Sequence, residues 1–259
     1  MEVIIRPSSA EAAMLAARLI ADALRVKPHL VLGLATGRTM EQVYDLLADM
    51  ELDFTACRTF NLDEYIGVPP EDDHSYRSYM NQRLFQHVNI RLTNTHVPDG
   101  MADDLGEEAA RYDRMIGEAG GIDLQLLGIG EDGHIGFNEP LSSLMSRTRE
   151  KALSPATRRQ NAGMFGGDAD RVPKRALTMG VGTILDARKV VLLATGPAKA
   201  AVLARAVEGP ITAMISASAL QLHPHCTVIV DDDAATALTQ REYYDWAFQN
   251  EPEWENYRA

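Results

Sequence analysis

The chain has 259 residues, of which 46% are hydrophobic, and a formal net charge of −12; that is enough apolar content to bury one full α/β core. So acidic a balance excludes broad attraction to nucleic acid or to anionic membrane surfaces, and any anionic ligand must be met by a few local cations. The two cysteines, Cys57 and Cys226, lie far apart and outside any CxxC spacing, which excludes a disulfide scaffold or a zinc knuckle.

The first residues, Met1-Glu2-Val3-Ile4-Ile5-Arg6, lack a basic region followed by a long apolar stretch, and no later run approaches membrane-spanning length. A cytoplasmic protein is expected. Short apolar runs then alternate with helical periodicity, the pattern of a largely parallel sheet covered by helices. The spacing predicts strands at 3–6, 30–34, 58–62, 122–127, 176–179, 190–194 and 227–230. Helices are predicted at 10–24, 40–50, 76–87, 103–119, 197–207 and 234–248, with Pro197 suited to a first turn. The fold class is therefore α/β: a single-domain, doubly wound, largely parallel sheet with helices on both faces, spanning residues 1–259. Residues 142–171 are polar, glycine-containing and weakly periodic, and are expected to form a mobile lid.

Three stretches carry chemistry. After the second strand, Ala35-Thr36-Gly37-Arg38-Thr39 runs into a helix. Free amides and the dipole of a helix start suit a phosphate, with Thr36, Arg38 and Thr39 as further donors; the alternative is an ordinary turn in which Thr39 caps the helix. The turn matches neither a P-loop nor GxGxxG, so nucleotide binding is disfavoured. Next, Asn61-Leu62-Asp63-Glu64-Tyr65 sets two carboxylates at the end of a strand. One facing a cleft could remove a proton from a sugar carbon beside a carbonyl; otherwise both are solvated loop acids.

The third stretch is Gly130-Glu131-Asp132-Gly133-His134-Ile135-Gly136-Phe137-Asn138-Glu139. A histidine flanked by carboxylates has its tautomer and charge controlled, as a proton shuttle to a ring oxygen requires. Asp132, His134 and Glu139 are also metal-ligand types, but no HExxH or second nearby histidine accompanies them, so no metal is expected.

In order along nearly the whole chain, these stretches, with 142–149, 172–186 and Leu220-Gln221-Leu222-His223-Pro224, resemble the glucosamine-6-phosphate deaminases and their relatives among phosphosugar isomerases and 6-phosphogluconolactonases. The resemblance implies that Asp63 moves a proton between C2 and C1, that His134 assists ring opening, and that Asp132 and Glu139 hold the histidine. It implies conversion of glucosamine 6-phosphate and water to fructose 6-phosphate and ammonia without a cofactor. The phosphate would be held by Thr36, Gly37, Arg38, Thr39 and Lys199. In some relatives N-acetylglucosamine 6-phosphate activates through positions equivalent to Ser142, Arg149 and Lys151. Relatives range from monomers to hexamers, so a homo-oligomer is one of the expected states.

Two departures stand out. Many relatives have Gly or Ser in place of Arg38, and the arginine they use on the phosphate falls at Gly163. Arg38 is expected to replace it, with bidentate phosphate contacts retained; a shifted sugar epimer is the alternative. Lactone hydrolysis and non-catalytic phosphosugar sensing are the competing functions. Phe137-Asn138-Glu139-Pro140 and the Asp63-Glu64 pair speak against the first. Against the second, the retained acids weigh, and the strand expected from Val3 leaves no DNA-binding segment before the core. His223, His225 and Cys226 are expected to form a packed turn, Asp231-Asp232-Asp233 a strand end and helix cap, and the C-terminal aromatics a packed helix or a subunit interface.

Overall fold

Seven parallel strands form the spine of the computed structural model, which describes residues 1–258. The strands in chain order are β1 (Glu2–Arg6), β2 (Val31–Leu34), β3 (Arg58–Asn61), β4 (Asp63–Tyr65), β5 (Thr95–His96), β6 (Leu124–Leu127), β7 (Arg149–Ala152), β8 (Arg175–Thr178), β9 (Lys189–Ala194) and β10 (Cys226–Asp231). The helices are α1 (Ser9–Val26), α2 (Arg38–Asp49), α3 (Tyr76–Met80), α4 (Leu105–Glu118), α5 (Pro155–Asn161), α6 (Val181–Leu185), α7 (Ala200–Val207) and α8 (Arg241–Asn250).

The main sheet runs β1-β10-β9-β6-β2-β3-β5. From β2 the chain winds outward through β3 and β5, then returns to β6 on the other side of β2 and continues through β9 and β10 toward β1. Winding therefore reverses between β2 and β6, and the crevice above their C-terminal ends is where such sheets take ligands. Right-handed crossovers in opposite directions place α1 and α2 on one face and α4 on the other. Tyr112 of α4 meets Phe60 edge-on at 5.7 Å and donates its hydroxyl to the Asn61 and His96 carbonyls. All four residues of both β2 and β6 are buried, as strands covered on two faces must be. Gly33 is a glycine for a packing reason: a Cβ there would come within 2.1 Å of the Gln125 amide on the neighbouring strand.

Beside the main sheet, β4, β8 and β7 form a small antiparallel sheet. The strand expected at 176–179 lies in it. The stretch 142–171 contains β7, α5 and a 3-10 turn, Ala162–Phe165. Leu153, Ala162 and Phe165 from this stretch, and Val172 just after it, close a second core with Tyr65, Tyr76 and Phe137. β7 reads Arg-Glu-Lys-Ala and is half exposed along its length, the polar signature of an edge strand.

Other boundaries moved for identifiable reasons. α2 begins at Arg38, two residues before the predicted start, with Gly37 as its cap. The last predicted helix is split into a 3-10 turn, Ala234–Ala237, and α8. Between them the Glu208 carboxylate takes the backbone N–H groups of Thr239 and Gln240, and Leu238 is buried. Among the described residues no helix is long and apolar enough to cross a membrane.

Candidate active site

A cavity of about 600 Å³ opens over the C-terminal ends of β2, β3, β6 and β9. Its first wall is the turn after β2, where Gly37 adopts φ 119°, a conformation glycine supplies at low cost. Gly37 caps α2 without any side-chain bond, so Thr39 is not the cap and the first amides of α2 are left for a ligand. The Tyr79 hydroxyl donates to the Gly37 carbonyl at 2.9 Å, and the Tyr44 hydroxyl donates to the Ala35 carbonyl. These two bonds brace the turn from behind. Thr36, Arg38 and Thr39 line the cavity with Gly37.

Lys199 enters from the opposite side, at the end of a 3-10 turn, Pro197–Lys199, that leads into α7. Burial pulls its ammonium below the ordinary lysine range, against the opposing pull of Glu131 and Asp132. The Asp231 carboxylate at the end of β10 accepts the Gly196 N–H at 2.9 Å and the Ala234 N–H at 2.9 Å. It caps the next turn as its sequence suggests, and it also anchors the turn carrying Lys199, a role that a run of three aspartates does not announce.

Asp63 and Glu64 separate at β4, because successive side chains of a strand point to opposite faces. Asp63 lines the cavity and is only 6% exposed. Among the described residues nothing donates a hydrogen bond to its carboxylate; burial first, and then the charge of Glu64, push it well above the ordinary carboxylate range. Glu64 instead accepts the backbone N–H groups of Tyr65, Tyr76 and Arg77 at 2.8, 2.9 and 2.9 Å. Burial outweighs these bonds and raises its carboxyl to about 7.

The histidine loop follows β6. A Cβ on Gly130 would lie 2.3 Å from the His134 ring, so the ring rests on bare backbone. Gly130 N–H donates to the His134 carbonyl at 2.8 Å. Asp132 Oδ1 stands 2.5 Å from His134 Nδ1 and accepts the His134 backbone N–H at 3.2 Å. Burial raises the Asp132 carboxyl, but its bonds and charge contact with His134 prevail and hold it below its ordinary value. Glu139 lies behind, 5% exposed. Its Oε1 accepts the Ser154 N–H at 2.8 Å, while Oε2 has no partner among the described residues. Ligand-type atoms of Asp132, His134 and Glu139 all lie within 4.8 Å of one another. The 2.5 Å contact leaves no room for an ion between Asp132 and Nδ1, so the trio suits a proton relay better than a metal.

Asp63, His134, Lys199 and the residues 36–39 thus line one cavity, with Asp132 2.5 Å from the His134 ring and Glu139 within 4.8 Å of both. Ser142, Arg149 and Lys151 do not line it. Ser142 is 2% exposed, and its hydroxyl has no partner among the described residues. Arg149 donates to Asn138 Oδ1 at 2.9 Å, and Lys151 follows two residues on along β7, hence on the same face. Sequence reasoning missed Tyr76, Tyr79 and Gln160 as cavity residues; Ser75-Tyr76-Arg77-Ser78-Tyr79 is indistinguishable from a core-facing helix by pattern alone. His223 is the packed turn expected, its ring placed between the Ala187 carbonyl and the His225 N–H. Of the C-terminal aromatics, Phe248 and Trp254 are buried while Tyr243 and Trp246 are exposed.

The class is now defined: an α/β protein whose cavity at the switch point of a parallel sheet is lined by a helix start and the cationic side chains of Arg38 and Lys199, with a carboxyl and an imidazole beside them. Residues 7–229 match the family model described as glucosamine-6-phosphate isomerases/6-phosphogluconolactonase, and the chain belongs to that family. It is 52% identical to a glucosamine-6-phosphate deaminase of Hahella chejuensis over 95% of both chains. Against the enzyme of that name from Streptomyces coelicolor it is 48% identical, over 98% of this chain and 99% of the other. A solved structure of a monomeric glucosamine-6-phosphate deaminase superposes with a TM-score of 0.89 at 44% identity, over 92% of this chain and 100% of that one. A 6-phosphogluconolactonase from Trypanosoma cruzi gives 0.75 at 25% identity, over 92% and 97%.

Proposed function

We propose that the chain catalyses the isomerising deamination of a hexosamine 6-phosphate, converting glucosamine 6-phosphate and water to fructose 6-phosphate and ammonia. The observation that carries this reading is Asp63, a carboxyl buried in the cavity without a donor of its own. An amino sugar brings an ammonium group to C2, next to the C–H bond that must break. That charge offsets the burial of the carboxylate and draws Asp63 into its basic form. A lactone brings no such charge.

The phosphate is held by the amides of the turn 36–39 with Thr36, Thr39, Arg38 and Lys199. His134 carries the proton from the O1 hydroxyl to the ring oxygen as the pyranose opens, with Asp132 holding the ring and Glu139 behind it. The resulting C1 carbonyl acidifies the C2–H bond. Asp63 takes that proton and returns it at C1, while the C2 ammonium gives up one proton and O1 gains one, leaving a C1 hydroxyl and an iminium at C2. Water adds there and ammonia leaves. C1 gains the hydrogen that C2 loses, so no redox cofactor is needed. α5 and the turn Ala162–Phe165 act as a moving cover: Gly163 and Met164 line the cavity, and Gln160 Oε1 accepts the Glu131 N–H at 2.9 Å. An activator at Ser142, Arg149 and Lys151 has less support, since Ser142 is buried and the Arg149 guanidinium is engaged by Asn138.

The test is parallel measurement of ammonia and ketose phosphate across hexosamine 6-phosphates, beside acid release from 6-phosphogluconolactone. Equimolar ammonia and ketose phosphate support the proposal. Acid release without ammonia overturns it in favour of lactone hydrolysis.

A further inference from the structure

We propose that Arg38 and Gly163 form one phosphate-gripping unit, in which residue 163 must lack a side chain so that the Arg38 guanidinium can stand over the sugar phosphate. Gly163 sits in the 3-10 turn Ala162–Phe165 and is not among the glycines with positive φ, whereas Gly166 and Gly167 just beyond it are, at 70° and 85°. Its backbone would accept any residue. What a side chain would meet is Arg38: a Cβ built on Gly163 lies 3.0 Å from Arg38 Nη2 and 4.0 Å from Cζ, with no other neighbour within 4 Å. A guanidinium projecting from the first residue of α2 thus stands against position 163, where a side chain would crowd its tip.

That guanidinium is unclaimed. No carboxylate among the described residues pairs with Arg38, although the chain carries 37 acidic residues. The nearest candidate along its own helix face, Glu41, is held by Arg83 at 3.2 Å. A free, forked cation beside Thr36 and Thr39, lining the same cavity as Lys199, matches a phosphate better than any internal partner. Because a side chain at 163 would press on the Arg38 tip, the position of that turn and the grip on the phosphate are coupled. The inference rests on the hexosamine-phosphate reading and names the residues that select a phosphorylated over an unphosphorylated sugar.

The experiment is a double-mutant cycle on the full chain with Arg38→Ala, Gly163→Ala and the double variant, reading KM and kcat for glucosamine 6-phosphate together with thermal melts. Arg38→Ala is expected to raise KM about tenfold or more, the loss of a charge-assisted contact. Gly163→Ala raises KM several-fold with an unchanged melt, because only the tip of a flexible side chain must move. In the Arg38→Ala background, Gly163→Ala adds nothing further. An unchanged KM for Gly163→Ala, or effects that multiply, overturns the inference. Should Arg38→Ala melt early, Arg38→Lys takes its place in the cycle. Wild-type chain that turns over no hexosamine 6-phosphate sinks the functional reading instead. In that case calorimetric binding of inorganic phosphate to the same variants tests the pair, and equal affinities overturn it.

Discussion

Asp63 and Glu64 are consecutive residues of β4 whose carboxyl groups leave the strand on opposite sides, one into the cavity and one onto the start of α3. Among the described residues the first has no donor and the second has three backbone N–H groups, so substitution should separate chemistry from stability. Asp63→Asn is expected to lower kcat by about 10²–10⁴-fold, the usual worth of a positioned acid–base group, with a melting temperature equal to or above wild type. Glu64→Ala leaves buried amides without an acceptor and is expected to cost about 1–3 kcal/mol. Ammonia-release kinetics and thermal melts check both, and loss of activity through Glu64 alone would reverse the assignment.

The pH dependence follows from the same pair. Asp63 must shed its proton to act as a base, and burial and Glu64 both hold that proton on. The acid limb of kcat/KM is therefore expected to follow Asp63 and to move to lower pH in Glu64→Gln, which removes the second cause. A limb that stays put assigns it to another group. The stability consequence has a definite sign. A carboxyl raised in the folded state contributes fully below its unfolded value of about 3.9, and that contribution is lost as pH rises through the folded titration. The melting temperature of wild type relative to Asp63→Asn should accordingly fall with increasing pH.

The parallel sheet, the turn at 36–39, the carboxylate pair at a strand end and the histidine loop were legible because each rests on a local rule: an apolar run, a strand end, a glycine where backbone must turn. β5 has two residues and no periodicity to detect. β7 and α5 were hidden because neither presents an apolar face: β7 reads Arg-Glu-Lys-Ala and alternates between half-buried and exposed positions, and the one buried side chain of α5 is Thr157. The choice between Asp63 and Glu64 depended on where α3 begins, and the contact between Arg38 and Gly163 joins residues 125 positions apart on different walls. No spacing encodes such meetings.

Glu139 connects the histidine loop to α5 through the Ser154 N–H, and Ser154 is itself the cap of that helix. Charge and anchorage can be told apart here. Glu139→Gln retains an oxygen for Ser154 and is expected to reduce kcat through His134 with little loss of stability. Glu139→Ala also frees the start of α5, adding about 1–2 kcal/mol of destabilisation and faster amide exchange over 154–161. Equal exchange in the two variants would show that Glu139 does not anchor α5.

A second pH response is built into the meeting of the chain ends. Glu2 of β1 accepts the Trp254 indole N–H; burial first, and then a hydrogen bond shared with Glu253, push it up to about 7 from an ordinary value of 4.5. The proton that Glu2 retains suits its burial and its hydrogen bond to Glu253, and the arrangement fails once Glu2 loses it. The stabilisation is complete below the ordinary value and is lost as pH climbs through about 7. Amide exchange in the turn Pro252–Tyr257, corrected for intrinsic rates, should therefore accelerate between about pH 5 and pH 8. Glu2→Gln keeps a hydrogen-bonding group facing Trp254 without the titration and should flatten that response. An identical pH dependence in both proteins would place its origin elsewhere in the fold.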